Sequence, residues 1–181
     1  MNNSPLEIER KYLIAYPSLT WLEVQPGVRK VEIEQTYLLS DSDSSRRVRL
    51  WREAGETHYF RTVKRAISDI TRVEEEDEIC LKEYSALLLE ADPTRSPVTK
   101  TRWCLPCEGH TLEIDCYPFW TRQAVLECEL EREDEAFSIP QALRVLREVT
   151  GDRRYLNSTL AGLSEEERAA LEIADSESGV C

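Results

Sequence analysis

Leu6-Glu7-Ile8-Glu9-Arg10-Lys11-Tyr12 is the stretch on which the fold turns. Read as a β-strand, it sends successive side chains to opposite faces, so Glu7, Glu9 and Lys11 stand together while Leu6, Ile8 and Tyr12 share the other side. An ordinary half-buried strand would turn such charges to water. The same two-residue spacing of charge, acidic and basic alike, recurs in strand-like segments along the chain, and that recurrence calls for a shared explanation.

Working outward, residues 17–24 read as a short helical or turn segment, closed by the strong turn signal Pro26-Gly27. Residues 28–39 form the next strand, with Ile33, Gln35 and Tyr37 on one face. After a polar turn at 41–45, a strand over 47–52 sets Arg47, Arg49 and Trp51 opposite Val48 and Leu50. A glycine turn leads to its partner at 58–64, which aligns Phe60, Thr62 and Lys64. Residues 70–79 are extended with charge on both faces: Arg72, Glu74, Glu76 and Glu78 on one, Glu75 and Asp77 on the other. Helical periodicity takes over at 81–91 through Tyr84, Leu87, Leu88 and Ala91, until Pro93 ends it. Three more strands follow: 98–103 with Lys100 and Arg102, 111–117 with Glu113 and Asp115, and 124–131 with Glu127 and Glu129. The spacing predicts a helix from Pro140 to about Thr150 on a stripe of Leu143, Leu146 and Val149. A short irregular or helical segment is expected over 152–163. The capping box Ser164-Glu165-Glu166-Glu167 opens a final helix to about Ala174, and 175–181 are expected to be disordered.

At 181 residues the chain suits one domain with a real core, and 32% charged residues must be accommodated around it. With 23 Lys plus Arg against 35 Asp plus Glu the net charge is −12, which argues against general attraction to nucleic acid or anionic membrane. An anionic ligand must therefore be held by a local basic cluster. No apolar run is long enough to span a bilayer and residues 1–5 lack the regions of a secretory signal, so a cytoplasmic protein with reduced thiols is expected. The six cysteines are not a secreted disulfide framework. Cys104-Leu105-Pro106-Cys107 lacks the strand-to-helix context of a redox motif and reads as the approach to a hairpin turn at 106–109. With His110 and Cys116 it fits no established zinc spacing.

About eight strands with mostly short connections suggest an antiparallel sheet or barrel. The apolar faces opposite the charges need cover, and the predicted helices near 84–88 and 143–149 carry stripes to supply it. With helices outside, the charged faces line an interior holding acids from the first, fifth, seventh and eighth strands and bases from the first, third, fourth and sixth. Unpaired charge there would be costly, so the charges neutralise one another, stay hydrated or bind something. A polyanion carrying divalent cations satisfies both sets, carboxylates taking the hard cation and Arg or Lys the phosphate oxygens.

Glu7, Glu9 and Lys11 match the Glu-x-Glu-x-Lys opening of the CYTH, or triphosphate tunnel metalloenzyme, superfamily. The chain resembles that family again at Gln35-Thr36-Tyr37-Leu38, Arg47-Val48-Arg49, Thr62-Val63-Lys64, Arg72-x-Glu74-x-Glu76, Lys100-Thr101-Arg102, Glu113-Ile114-Asp115 and Glu127-Cys128-Glu129. The run from Glu148 to Tyr155, with Asn157 and Leu160-Ala161, is similar to the end of small bacterial members. Thr36 departs from the pattern, since small bacterial members commonly carry Gly there. The resemblance covers residues 5–163 and leaves 164–181 as an appended helix and tail.

The resemblance implies an α+β fold, a closed antiparallel eight-stranded β-barrel forming a tunnel with helices packed outside. It implies Glu7, Glu9, Glu127 and Glu129 as ligands of Mg²⁺ or Mn²⁺, and Lys11, Arg47, Arg49, Lys64, Lys100 and Arg102 as phosphate-binding residues. Catalysis would fall to Glu7, Glu9, Lys11, Glu127 and Glu129, with Arg72, Glu74, Glu76, Glu113 and Asp115 as further tunnel residues. The expected activity is hydrolysis of the terminal phosphoanhydride of a triphosphate, with inorganic tripolyphosphate favoured because a short chain leaves little room for a base or vitamin pocket. Thiamine triphosphatase, class IV-type adenylate cyclase and a non-catalytic polyphosphate- or nucleotide-binding module are the alternatives. The partner is a small-molecule triphosphate, with no nucleic acid and no membrane; homodimerisation is compatible with this reading. His58 and His110 fall outside the matched motifs, which argues against a phosphohistidine route. Trp51, near the end of its strand, is expected to pack against the covering segment near Tyr155 rather than stack on a substrate ring.

Overall fold

The computed structural model describes residues 8–41, 44–66 and 72–173, side chains excepted at 65, 66 and 72–74. Glu7 and the tail from 174 onward lie outside the described residues. The strands are β1 (Ile8–Ala15), β2 (Arg29–Leu38), β3 (Ser44–Glu53), β4 (Glu56–Ala66), β5 (Arg72–Ile79), β6 (Val98–Cys107), β7 (His110–Cys116), β8 (Gln123–Leu130) and β9 (Val145–Glu148). The helices are α1 (Leu19–Glu23), α2 (Leu81–Leu87), α3 (Asn157–Gly162) and α4 (Glu165–Ala170). Two-residue turns join β3 to β4 and β6 to β7. Each has positive φ at both residues, 50° and 88° at Ala54-Gly55 and 48° and 90° at Glu108-Gly109, as a hairpin turn matched to strand twist requires.

All strands join one sheet in the order β5-β4-β3-β2-β6-β7-β8-β1-β9, and every pairing is antiparallel. Among the described residues the order has two ends, β5 and β9. The expected closed eight-stranded barrel is therefore corrected to an open sheet of nine strands. The extra strand comes from the stretch predicted as a helix at 140–150. Its apolar residues do not serve one stripe: Leu143 packs into one core cluster, Leu146 and Val149 into another. β1 offers its free edge at Tyr12 to Ile14, and backbone pairing with it outweighs local helical periodicity. Both sheet edges are blunted, β9 by its length of four residues and β5 by exposed acids from Glu75 to Glu78.

The face opposite the charges carries the main core. Tyr12, Ile14, Leu112, Ile114, Leu126 and Leu130 pack there beneath Leu22 of α1 and Leu143, while farther along the same face Tyr84 of α2 covers Leu38 and Val48. On the charged face Lys11, Gln35, Lys100, Asp115 and Glu127 are nearly or fully buried, so that face is turned inward. One end of it is apolar. Leu13, Tyr37, Val98, Tyr117 and Val125 form a layer capped by Tyr155, Leu160 and Ala161. Two residues along each of those strands stand Lys11, Gln35, Lys100, Asp115 and Glu127, so a single alternation step takes five strands from apolar plug to polar site. Among the described residues no helix is long and apolar enough to cross a membrane.

Candidate active site

The polar layer is a connected ion-pair network. Lys11 Nζ lies 2.8 Å from Glu127 Oε1 and 3.1 Å from Glu9 Oε1. Arg102 reaches Glu127 at 2.9 Å, makes two bonds to Asp115 at 2.7 and 2.8 Å, and pairs with Glu113. Lys100 pairs with Asp115 from the other side. Across β3 to β5, Arg49 pairs with Glu76, which also accepts a 2.7 Å bond from the Thr62 hydroxyl. β5 was ambiguous in sequence, and these contacts assign Glu76 to the inner face.

Burial and charge compete at each group. Burial would push Glu127 up, but Lys11 and Arg102 outweigh it and hold the carboxyl well below its usual range. Asp115 is held low in the same way, by Arg102 and Lys100. Lys100 goes the other way: burial and the neighbouring Arg102 charge push its ammonium down to about 8 despite Asp115. Arg49 is lowered by burial and by Arg47, with Glu76 only partly compensating.

The structure thus brings together Glu9, Lys11, Arg49, Glu76, Lys100, Arg102, Glu113, Asp115 and Glu127. Glu129 is paired in register with Glu9, Arg47 with Thr62, and Lys64 with Glu74, which places them on the same face. Glu7 and the side chains of Arg72 and Glu74 lie outside what is described. Inward bases stand on β3, β4 and β6 and inward acids on β7 and β8, while β1 carries both Glu9 and Lys11 and β5 sets Glu76 beside the bases. Two like-charge pairs oppose each other directly, Glu9 with Glu129 and Glu113 with Glu127, an arrangement that repels unless cations sit between. Lys11 and Arg102 supply part of that positive charge. The donor set on the acidic side is carboxylate oxygen alone, which fits a hard divalent cation. Among the described residues no three His, Cys, Asp or Glu side chains stand ready grouped as a metal site; Glu9, Glu113, Asp115 and Glu127 are each paired with Lys11 or Arg102. The cysteines are divided between opposite faces, Cys104 beside Val31 and Ile33, Cys116 and Cys128 in the main core.

Trp51 packs, but not against Tyr155, which caps the opposite end. It joins Val31, Ile33 and Cys104, meets Phe60 edge-on at 6.0 Å, and donates to Glu53 at 3.0 Å. Thr62 and Gln35 lie within the matched motifs and join the site as uncharged polar residues, Thr62 through its bond to Glu76. Strand parity alone puts both on the inner face.

An antiparallel sheet that buries a two-signed layer of this make-up, acids densest on β7, β8 and β1 and bases on β3, β4 and β6, defines a triphosphate tunnel protein, and the chain belongs to that CYTH family. It is 35% identical over 158 residues to the inorganic triphosphatase of Acetivibrio thermocellus, covering 85% of this chain and 92% of the relative. Identity to the inorganic triphosphatase of Nitrosomonas europaea is 32% over 157 residues, covering 86% and 96%. The crystal structure of the inorganic triphosphatase NE1496 superposes with a TM-score of 0.54 at 30% identity, covering 87% of this chain and 95% of that one. No family model matches the chain.

Proposed function

We propose that the protein hydrolyses the terminal phosphoanhydride of inorganic tripolyphosphate, releasing pyrophosphate and phosphate. The observation that carries this reading is the buried Lys11–Glu127–Arg102–Asp115–Lys100 network. Acids that repel one another in register share it with bases that have the chemistry to bind phosphate. The inorganic triphosphatase relatives support the choice of substrate. Glu9, Glu127 and Glu129, with Glu7, would hold Mg²⁺ or Mn²⁺, which when bound neutralises phosphoryl oxygens and polarises the terminal phosphorus. Arg47, Arg49, Lys64, Lys100 and Arg102 hold the phosphate chain, the arginines as forks and the lysines as point charges. Lys11, set between Glu9 and Glu127, stays positive and counters charge that grows in the transition state. A carboxylate on the acidic flank orients water in line with the terminal phosphorus; a P–O bond to that water forms as the bridging P–O bond breaks, and pyrophosphate departs. Five free cysteines among the described residues suit a reducing cytoplasm.

The test is phosphate release from tripolyphosphate, ATP and thiamine triphosphate, with cyclic AMP followed in parallel. Tripolyphosphate is expected to show the highest kcat/KM. Preference for thiamine triphosphate, or cyclic AMP formation, would replace this reading, and binding without turnover of any of the three would leave a binding module.

A further inference from the structure

Gln35 opens one of the matched motifs yet has no part in the chemistry described above. It is fully buried on the inner side of β2, at 0% exposure. Its amide nitrogen donates to the Tyr37 hydroxyl at 3.2 Å, while its amide oxygen has no hydrogen-bond partner among the described residues. Directly opposite in the β2–β3 register stands Arg49. The Nε–H of Arg49 is also buried without an acceptor among the described residues, although its Nη2 binds Glu76. Residues so opposed have Cβ atoms about 4.5–5.5 Å apart, well within reach of two long side chains. A bare buried acceptor thus faces a bare buried donor on the neighbouring strand, and each is costly to leave unmade.

Phosphate binding would change what Arg49 needs. An anion that takes the Nη edge competes with Glu76 for the same hydrogens, and a guanidinium released from Glu76 must be held elsewhere to keep its fork aimed. We infer that Gln35 is a positioning residue for Arg49: as a phosphate group draws the guanidinium from Glu76, the Gln35 amide oxygen accepts the Nε–H and fixes the fork toward the phosphate. This rests on the reading of Arg49 as a phosphate ligand. An amide suits the task because it accepts a hydrogen bond without adding charge. A carboxylate at 35 would compete with the phosphate for Arg49, and an apolar side chain would leave Nε bare.

The experiment is a double-mutant cycle on tripolyphosphate affinity, read by calorimetry in excess EDTA so that binding is separated from turnover. Gln35→Met should weaken binding by about 10-fold in the parent, the scale of one hydrogen bond to a charged group. In an Arg49→Lys background it should change affinity by less than about 2-fold, because lysine has no Nε–H to hold. Tyr37→Phe, which removes the hydroxyl bound by Gln35 but spares its oxygen, should stay within about 2-fold of the parent. Equal weakening by Gln35→Met in both backgrounds, or a Tyr37→Phe effect as large, would overturn the inference and leave Gln35 a packing residue. Gln35→Asn, which keeps the amide but shortens its reach, gives the same cycle if the methionine variant folds poorly. A parent that binds tripolyphosphate with this coupling but does not turn it over with Mg²⁺ or Mn²⁺ would remove the proposed activity and leave the role of Gln35 standing.

Discussion

At the scale of single residues, Glu127 is the hinge of the charge balance, since it faces Lys11 and Arg102 at 2.8 and 2.9 Å while almost wholly buried. Glu127→Gln keeps its volume but leaves two buried cations short of a partner. The expected cost is about 3–5 kcal/mol of stability by urea denaturation, the scale for breaking a buried ion pair. Tripolyphosphate turnover should fall about 100-fold or more. Near-parental turnover would dismiss Glu127 from the acidic set. Lys100 offers a pH test. Its ammonium is pushed down to about 8 by burial and by Arg102, whereas a lysine in the unfolded chain titrates near ~10.4. Between those values the unfolded state binds more protons, so this group makes stability rise with pH across the window. Lys11 acts in the opposite sense, being raised despite burial by Glu127 and Glu9, so its contribution holds below about 10.4 and is lost only above it. The thiols of Cys104, Cys116 and Cys128, raised to about 11 by burial, also lose stability as pH climbs. The difference between parent and Lys100→Met therefore isolates Lys100: from about pH 8 to 10 the parent should gain stability relative to the variant, and a constant difference would show that burial and Arg102 do not lower the Lys100 ammonium.

At the scale of elements, α3 and α4 show how short helices hold together. α3 has six residues, too few to persist alone. Arg168 of α4, buried, donates from Nε to the Leu160 carbonyl at 2.7 Å and from Nη2 to the Ala161 carbonyl at 3.4 Å. Its own carbonyl accepts from Trp120 Nε1 at 2.8 Å. Those carbonyls also accept from the Leu163 and Ser96 N–H groups, so Arg168→Met should remove the charge-assisted bond at each without leaving either bare, and cost about 1–3 kcal/mol by denaturation; a change under about 0.5 kcal/mol would show that water replaces it. The capping box of α4 was legible in sequence because Ser164 and Glu167 satisfy each other locally, and the structure has both bonds. Strands β1 to β8 were legible too, because period-two alternation persists wherever one face is buried. β9 was not. Its residues carry a helical spacing, and what fixes them is the backbone edge of β1, a partner more than a hundred residues away in sequence. The closure of the sheet failed for a related reason, since strand count and charge pattern say which faces are inward but not whether the first and last strands meet. For the site, parity gave the inner face of every strand except β5, whose two faces are both charged, and the choice of ion-pair partner did not follow. Arg102 binds acids on β7 and β8 at once, a result of how the sheet wraps.

At the scale of the molecule, the inner face is stratified, with the apolar layer under Tyr155 and Leu160 at one end, the ion-pair layer next, and Trp51 with Val31, Ile33 and Cys104 beyond. Trp51 is bound into that last layer and to Glu53. Trp51→Ala should therefore cost about 2–3 kcal/mol of stability while kcat/KM for tripolyphosphate stays within about 3-fold. A selective loss on ATP would instead assign the indole to a nucleotide base. The charge balance gives the last prediction. The whole chain is strongly acidic at −12, so the basic flank must attract a polyanion against an unfavourable overall field. The acidic flank, with Glu9 opposite Glu129 and Glu113 opposite Glu127, would repel phosphate outright. Lys11 and Arg102 neutralise those acids only while they remain bound to them, and a phosphate chain competes for the same two cations. Once Arg102 turns toward phosphate, Asp115, Glu113 and Glu127 need positive charge from elsewhere, and oxygen-only donors select a hard divalent ion. Hydrolysis of tripolyphosphate should accordingly stop in excess EDTA and return with Mg²⁺ or Mn²⁺. Ca²⁺ should support it poorly, since its larger and looser shell sets the phosphate at a different distance. Binding of tripolyphosphate should weaken under EDTA but not vanish if, as proposed, Arg47, Arg49 and Lys64 hold phosphate without the acidic flank. Undiminished turnover in excess chelator would mean that the carboxylates serve only to pair with Lys11 and Arg102, and the division into a metal flank and a phosphate flank would fall with it.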